Sequence, residues 1–348
     1  MENAKKVFLI GPGFIGAEVL NLLVNEGYEV TTLVRRETYA AEISKWGANT
    51  VLGSLDDKSL IEKHASESNI VIHTATADHL PSVEAVLDAV QKRASNGEST
   101  IFIHTSGASQ LSDDSEGGFK GEKIFSDDQP ESINALPDSA SHREIDLAIL
   151  KARKALSTNA KIAIVLPPLI YGVGKRSGRL SIQLPTMVRF AMKHGYAAYV
   201  GKGLSVWSQV HVGDLAKGYM LLLRWMETSK PEDVLENPYF FCENGTEISW
   251  GEAATEIGKA LYKAGRVDEP AARSVPPELY DDLFGKYTAW VIGSNSRSRG
   301  ARLRELGWSP TEKGTLESLR VDEIPLLLKE NADFHGYAGV AASGAGSS

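Results

Sequence analysis

The chain has 348 residues, of which 42% are hydrophobic and 24% charged, enough apolar material for one extended α/β unit or two closely packed domains. Its net charge of −8 disfavours nucleic acid as a partner, because phosphate binding requires a basic surface. No apolar stretch approaches the roughly 20 residues that cross a bilayer, and the single cysteine, Cys242, leaves no internal disulfide or thiolate metal cluster. We therefore expect a cytoplasmic protein with no metal site and no membrane or nucleic-acid partner.

Strand-like and helix-like segments alternate from the start of the chain. Strands are predicted at KKVFLI, YEVTTLV, NTVL, NIVIHTA and STIFIHT, and the helices between them at Ile15–Asn25, Thr38–Trp46, Lys58–Ala65 and Pro81–Ala94. VFLI, IVIH and IFIH are short and continuously apolar, as is typical of strands covered on both faces. The pattern predicts an α/β fold, a Rossmann-type doubly wound parallel sheet with right-handed crossovers.

The regular alternation stops at Ser106, where an acidic segment rich in Gly, Ser, Asp and Pro extends to Ser141. Loops of that length are usually functional or mobile. A helix over His142–Leu156 and a sixth strand, KIAIVLPP, follow. We expect a dinucleotide-binding domain over 1–170, a smaller mixed substrate-binding region over 171–335 that returns to the sheet near 210–225, and a disordered tail over 336–348.

The first turn, GPGFIG, has the spacing of a dinucleotide-binding loop, and it follows a strand and opens a helix. Gly11 permits the tight turn, Gly13 lets the backbone approach a pyrophosphate, and Gly16 lets helix and strand pack closely. Phe14 and Ile15 begin the helix, whose free amides and partial positive charge favour phosphate.

The second strand ends in LVRRE. A site for NAD(H) usually has an acidic residue here that binds the ribose 2′-hydroxyl, whereas this chain has Arg35 and Arg36. A guanidinium pairs with a 2′-phosphate, which a carboxylate would repel. The pattern favours NADP(H), although Glu37 leaves NAD(H) open.

Seven segments in order resemble the short-chain dehydrogenase/reductase superfamily, and within it the extended and atypical (NmrA-like) members: GPGFIGAEVLNLLVNEGYEVTTLVRR, VLGSLDD, IVIHTATA, FIHTSGAS, PPLIYGVG, VHVGDLAKGYMLLL and GARLRELGWSP. The glycine loop is one residue shorter than the superfamily's commoner GxxGxxG. The resemblance implies further cofactor-binding residues near the adenine, beside the adenosine ribose and after strand six: Ser54, Leu55, Thr74, Ala75, Thr76, Pro167 and Leu169.

The same resemblance implies hydride transfer with a proton donated by the tyrosine of a Tyr-x-x-x-Lys pair. On a helix this spacing puts both side chains on one face, where the ammonium lowers the pKa of the phenol. The expected helix, SHREIDLAILKARKAL, contains no tyrosine, and the only Tyr-x-x-x-Lys in the chain runs from Tyr171 to Lys175. Because glycines and prolines make that segment a turn, we expect Tyr171 to line the pocket near the nicotinamide rather than donate the proton.

The pair that best fits the expected place is His142 and Asp146. A carboxylate four residues on would orient the imidazole and raise its pKa, which would make a general acid; an ion pair at the helix start is the alternative. Ser106, and after it Thr105, are the candidates for binding the reacting oxygen, although a simple strand-end turn would have the same sequence.

Three other polar residues have structural interpretations. His104 lies in a buried strand and is expected to be a hydrogen-bonded core histidine. His211 and Asp214, in VHVGD, are expected to hold the hinge between the sheet and the substrate region, because two residues do not make a metal site.

Two functions remain open. The first is an NADP(H)-dependent oxidoreductase of a small carbonyl or hydroxyl compound with a non-standard proton donor. The second is a non-catalytic NADP(H)-binding redox sensor or regulator of the NmrA-like type. A sugar-nucleotide epimerase or dehydratase is less favoured, since those enzymes need the tyrosine. The apolar helix faces leave a homodimer possible, because such faces serve a core and an interface equally well.

Overall fold

A computed structural model describes residues 4–330 and 334–337. The strands are β1 (Lys6–Ile10), β2 (Glu29–Val34), β3 (Asn49–Leu52), β4 (Ile70–His73), β5 (Thr100–Thr105), β6 (Phe125–Ser126), β7 (Ala160–Leu166), β8 (Leu169–Tyr171), β9 (Ala198–Tyr199), β10 (Val206–His211), β11 (Tyr239–Phe241), β12 (Glu247–Ser249), β13 (Arg273–Ser274) and β14 (Ser298–Arg299). The α-helices are α1 (Phe14–Asn25), α2 (Glu37–Lys45), α3 (Lys58–Ser66), α4 (Leu80–Ser95), α5 (Pro130–Asn134), α6 (Arg143–Leu156), α7 (Gln183–His194), α8 (Val212–Thr228), α9 (Pro231–Glu236), α10 (Trp250–Lys263), α11 (Thr288–Gly293), α12 (Ala301–Glu305), α13 (Thr315–Ser318) and α14 (Ile324–Leu327). Of these helices, none combines the length and the apolar character that a bilayer span requires.

The main sheet has seven parallel strands in the order β11-β7-β5-β4-β1-β2-β3. The predicted Rossmann-type sheet is therefore confirmed, and the first five predicted helices begin and end within two residues of α1, α2, α3, α4 and α6. The seventh strand, β11, comes from the C-terminal half and was not predicted. Because the strand order reverses between β1 and β4, a crevice opens at their carboxyl ends, where ligands of such sheets bind.

The acidic segment after β5 is more structured than a plain loop. It contains a short 3₁₀ turn over Ala108–Leu111, β6 and α5. The carboxylate of Asp113 accepts hydrogen bonds from Ser115 Oγ (2.6 Å) and from the backbone amide of Asn295 (2.9 Å), so the segment is tied to the C-terminal region.

The C-terminal half contributes α8, which packs on α1 in the same hydrophobic core. At the start of α8 the buried carboxylate of Asp214 accepts hydrogen bonds from the backbone amides of Thr311 (3.0 Å) and Glu312 (2.9 Å). His211 caps α8, its Nδ1 accepting from the amide of Gly213. From residue 338 onward the predicted tail lies outside the described residues.

Two histidines face each other inside the sheet. His73 on β4 pairs in register with His104 on β5, and their ring centroids lie 5.3 Å apart. His104 is buried as predicted, but the prediction that it is hydrogen-bonded is wrong: neither ring nitrogen has a partner among the described residues, since the ring lies between His73 and Phe102. Burial lowers the pKa of His73 to about 4 and that of His104 well below its usual value.

We expect this pair to make the fold acid-sensitive. Between about pH 6.5 and 4 the unfolded histidines bind protons that the folded ones cannot, so the free energy of unfolding falls as the pH falls. His104→Leu should weaken this dependence, and replacing the exposed His335 by Leu should not. Urea unfolding at several pH values measures the free energy of unfolding of each variant. An unchanged pH dependence of that free energy in the His104 variant would contradict the prediction.

Candidate functional site

The glycine loop packs directly against the end of β4. Gly11 has a φ of +92°, and a Cβ there would lie 2.3 Å from Cα of Ala75. A Cβ at Gly16 would lie 2.1 Å from the carbonyl oxygen of Gly11 and 2.5 Å from Thr74 Oγ1. Thr74 Oγ1 donates to that same carbonyl at 2.8 Å. Glycine is therefore required at both positions, and the loop and strand β4 form one unit.

The helix that follows the loop is open to an anion. Gly13 precedes α1 and makes no side-chain cap, so the first turn of α1, with the amides of Phe14 and Ile15, begins without a capping side chain. Free amides and the partial positive charge of a helix N-terminus are the features that bind a pyrophosphate.

A small pocket with two arginines lies between β2 and the C-terminal region. This arginine pocket has a volume of about 220 Å³ and is lined by Arg36, Thr38, Tyr39, Glu42, Ser177 and Arg179. The guanidinium of Arg179 lies 4.8 Å from the ring centroid of Tyr39, whose hydroxyl donates to the carbonyl of Pro12. Arg35 is exposed directly after β2 but does not line this pocket.

Two further cofactor candidates lie after β3 and one after β4. Ser54 Oγ accepts from the amide of Asp56 at 3.2 Å, so it shapes a turn, and Leu55 packs half-buried against the core. Thr76 Oγ1 accepts from the amide of Asp78 at 3.2 Å and thereby fixes the loop after β4.

The two candidates after strand β7 are structural in their contacts. The carbonyl of Pro167 accepts from the amide of Ala108 at 3.0 Å, and the side chain of Leu169 is wholly buried in the core of the C-terminal region. The backbone of this turn thus contacts the loop after β5.

Three polar side chains from separate loops form a hydrogen-bonded chain, which we call the relay. His142 Nε2 lies 2.7 Å from Ser109 Oγ, and His142 Nδ1 lies 2.5 Å from Asp78 Oδ1. Asp78 follows β4, Ser109 lies in the 3₁₀ turn after β5, and His142 immediately precedes α6. An imidazole held between a hydroxyl and a carboxylate is a proton-transfer arrangement.

The relay borders a cavity at the carboxyl end of the sheet. This cavity has a volume of about 610 Å³, and Asp78 and His142 line it together with Ala77, Asp138, Ser139, Ala140, Glu144, Ile145 and Leu147. Its walls thus combine apolar and acidic side chains beside a histidine that is 18% exposed.

Asp146 is placed differently from the sequence-based expectation. Its Oδ2 accepts from Ser106 Oγ and from Gln110 Nε2, both at 2.9 Å, and Oδ1 has no partner among the described residues. The carboxylate that orients His142 is Asp78, so the predicted His142–Asp146 hydrogen bond is not formed. Burial raises the pKa of Asp146 to about 6. We call Ser106, Gln110 and Asp146 the buried carboxylate network.

The other two catalytic candidates do not join the relay. Thr105 Oγ1 lies 2.5 Å from the hydroxyl of the buried Tyr219 and so ties β5 to α8. The hydroxyl of Tyr171 donates to the carbonyl of Lys313 (2.8 Å) and accepts from Asn244 Nδ2 (3.0 Å), and the residue is 1% exposed. Burial raises the pKa of Tyr171.

Sequence reasoning therefore found His142 but missed both of its partners. Asp78 follows IVIHTATA and Ser109 follows FIHTSGA, so each lies just beyond the carboxyl end of a predicted strand. Polar residues at that edge were the available signal, because ligands bind there in such sheets. Arg179 had a weaker signal, the basic run KRSGR.

The open helix N-terminus beside a glycine loop at the switch point of a parallel sheet defines a dinucleotide-binding protein of the Rossmann class. Residues 8–236, more than half of the chain, match the NAD dependent epimerase/dehydratase family. The chain belongs to this family, whose extended short-chain dehydrogenase/reductase fold it has, and is of the NAD(P)-dependent oxidoreductase type.

Three similar proteins span nearly all of the chain. The oxidase ucsJ of Acremonium sp is 28% identical over 340 residues, 91% of this chain and 96% of that protein. The UDP-glucose 4-epimerase of Thermotoga maritima has a TM-score of 0.64 at 18% identity, covering 93% of this chain and 100% of that one. The yeast methylglyoxal/isovaleraldehyde reductase Gre2, complexed with NADPH, has a TM-score of 0.62 at 15% identity, with 93% and 100% covered.

We expect Asp146→Asn to stabilise the protein near neutral pH. Because burial raises the carboxyl pKa from 3.8 to about 6, the charged form costs up to about 3 kcal/mol in the folded state at neutral pH. An asparagine can accept the same two hydrogen bonds without the charge. The gain should shrink as the pH falls from about 6 toward 4, where the native carboxyl is protonated.

Thermal and urea unfolding across that pH range measures the effect. Asp88→Asn, on the exposed face of α4, is the matched control and should change stability little at any pH. A variant at Asp146 that is less stable than the parent at neutral pH would show that the carboxylate is needed in its charged form.

Proposed function

We propose that this protein is an NADP(H)-dependent oxidoreductase of a small carbonyl or hydroxyl compound, with His142 as the proton-transfer group. The observation that supports this most directly is the relay, which sets Ser109 and Asp78 on the two nitrogens of His142 at the edge of a 610 Å³ cavity. A hydroxyl, an imidazole and a carboxylate in this order move a proton without a tyrosine.

The charges after β2 support NADP(H) over NAD(H). Arg35 and Arg36 occupy the place where a site for NAD(H) has a carboxylate, and Arg36 lines the arginine pocket. Gly11, Gly13 and Gly16, with the amides of Phe14 and Ile15, would hold the pyrophosphate. Thr74, Ala75 and Thr76 would lie along the ribose, and Ser54 and Leu55 near the adenine. Gre2, which has the same fold, is named as an NADPH complex.

The cofactor, when bound, would supply the hydride for reduction of a carbonyl. The chain's own part is the proton. With Asp78 on Nδ1, the imidazole holds its proton there, and Nε2 exchanges a proton with Ser109 Oγ. In reduction the doubly protonated imidazolium of His142 gives its Nε2 proton to Ser109 as the Ser109 hydroxyl passes its own proton to the new alkoxide, and the neutral imidazole that results keeps the Nδ1 proton. The imidazole regains its second proton from solvent, and oxidation reverses the direction. Asp78 stabilises the imidazolium, the form that donates in reduction and that is produced in oxidation.

The cavity suggests the substrate class. Its lining includes the side chains of Asp138, Glu144, Ile145 and Leu147. Three carboxylates, those of Asp78, Asp138 and Glu144, disfavour an anionic substrate, and the apolar residues favour a compound with a hydrocarbon part. We propose that residues 171–335 complete this substrate region.

One observation favours the alternative, a non-catalytic NADP(H)-binding sensor. Ser106 and Asp146, at the places of the superfamily's serine and lysine, are closed into the buried carboxylate network with Gln110. The hydroxyl of Ser106 therefore donates its hydrogen bond to the carboxylate of Asp146 rather than to a reacting oxygen. A sensor would bind NADPH, but no aldehyde, ketone or enone would be reduced at its expense.

We expect His142→Gln to lower kcat of carbonyl reduction by about 100- to 10,000-fold, the usual contribution of a positioned general acid. The KM for NADPH should change little, because the relay lies outside the glycine loop. Steady-state NADPH oxidation with a panel of small aldehydes and ketones measures both constants. Ser109→Ala and Asp78→Asn should each lower kcat and alter its pH profile.

Ser141→Ala is the control for this series, since Ser141 Oγ lies 3.3 Å from Ser109 Oγ, whereas the hydrogen-bond partners of the imidazole among the described residues are Ser109 and Asp78. Turnover indifferent to His142→Gln would end the proposal for this residue. NADPH binding without any turnover in the parent protein would favour the sensor.

We expect the parent protein to bind NADPH at least about tenfold more tightly than NADH, since one charge-assisted hydrogen bond is worth that much. Arg36→Met should reduce this ratio, and Arg35→Met should reduce it if the exposed guanidinium turns to the phosphate on binding. Titration of each variant with both nucleotides measures the ratio. Equal affinities in the parent would show that the cofactor assignment is wrong.

A further inference from the structure

The segment 172–180, which we call the basic loop, follows β8 and precedes α7. It carries Lys175, Arg176 and Arg179. It folds back on itself: the amide of Gly174 donates to the carbonyl of Arg179 at 2.8 Å, and Val173 bridges to Leu180. The position of Arg179 is thus set by backbone hydrogen bonds.

The basic loop is anchored on both sides. Lys175 forms an ion pair with Glu312 at 3.0 Å. Glu18 on α1 lies beneath the loop, 4% exposed; a Cβ at Gly174 would be 3.4 Å from its Oε1. The basic loop, although it follows the dinucleotide-binding region in sequence, is therefore held over α1, the helix that follows the glycine loop.

Arg179 is the residue that this anchoring presents to the glycine loop. Its Nη1 lies 3.9 Å from where a Cβ of Gly13 would be, and its guanidinium covers the ring of Tyr39 at 4.8 Å. Arg36 and Ser177 line the arginine pocket together with Arg179.

The pocket has an unbalanced charge. Within 4–330 and 334–337, neither Arg36 nor Arg179 forms an ion pair, whereas Arg189, Arg224, Arg297 and Arg304 all do. Glu42 is the one carboxylate among the residues that line the pocket, so two guanidinium groups face one negative charge. Two unpaired guanidinium groups facing one cavity are a ligand set for a dianionic phosphate monoester.

We propose that Arg179 and Arg36 clamp the 2′-phosphate of the dinucleotide, so that the basic loop determines cofactor choice from the C-terminal half of the chain. This inference rests on the proposed function. A phosphate monoester has about two negative charges near neutral pH, which suits one guanidinium from each side. The stacking of Arg179 on Tyr39 fixes the plane of one of them.

The test uses the whole protein and four nucleotides, NADPH, NADH, 2′,5′-ADP and 5′-AMP, in calorimetric titrations. Arg179→Met keeps the apolar stem and removes the charge. It should weaken NADPH and 2′,5′-ADP about 10- to 100-fold and change NADH and 5′-AMP less than about twofold. Arg176→Met, in the same loop but outside the pocket, is the matched control. Glu42→Gln should tighten NADPH about two- to threefold by removing the opposing charge.

Each outcome separates this inference from the proposed function. An NADPH preference that is intact in Arg179→Met overturns the clamp and leaves the cofactor assignment standing. Equal weakening of NADPH and NADH also overturns it, since Arg179 would then act on the pyrophosphate. A parent protein that binds neither nucleotide, or both equally, overturns both proposals. If Arg179→Met lacks a cooperative melting transition, Arg179→Gln replaces it in the titrations. We expect the same result, weaker binding of NADPH and 2′,5′-ADP with little change for NADH and 5′-AMP.

Discussion

The contact between the glycine loop and the end of β4 is the constraint on which the site depends. The backbone of Gly11 and Gly16 approaches Thr74 and Ala75 so closely that no Cβ fits at either glycine. The hydroxyl of Thr74 then holds the carbonyl of Gly11. This contact fixes the N-terminus of α1 against the carboxyl end of the sheet, so the amides for phosphate and the loop bearing Asp78 belong to one rigid body. The contact between the glycine loop and β4 therefore also positions the relay, through the loop that bears Asp78, and the arginine pocket, which lies beside the glycine loop.

The failure of the expected His142–Asp146 pair has a specific conformational cause. Residues four apart share a helix face only where both have helical backbone. His142 stands just before α6 with a φ of +63°, a left-handed conformation in which its side chain leaves the direction of the helix face. The imidazole consequently points to Asp78 and Ser109, while Asp146, one turn into the helix, points into the buried carboxylate network. Residues held in such uncommon backbone conformations cluster at functional sites.

Local patterns predicted most of the fold. The runs VFLI, IVIH and IFIH correctly predict doubly covered strands, because burial on both faces favours short, predominantly apolar runs. The contacts that build the site are of another kind. Asp78 and His142 are 64 residues apart in sequence, and Arg179 reaches Gly13 from beyond β8. Strand β11 was missed for the same reason, since its three residues have no periodicity of their own and pair with β7 only through the tertiary fold.

In the superfamily that the chain resembles, a tyrosine and a lysine on one helix face act together in proton transfer. In this chain, the corresponding region holds two separate groups, the buried carboxylate network and the relay. In the buried carboxylate network, Ser106 and Gln110 both donate to Oδ2 of Asp146, which ties the segment after β5 to α6, while Asp146 Oδ1 and Gln110 Oε1 have no partner among the described residues. The relay is partly exposed, and two of its members, Asp78 and His142, line the cavity. Asp78, the carboxylate hydrogen-bonded to His142, is 39% exposed, whereas Asp146 is fully buried. In the proposed mechanism, this division places the carboxylate that orients His142 at the cavity and keeps the second carboxylate away from it.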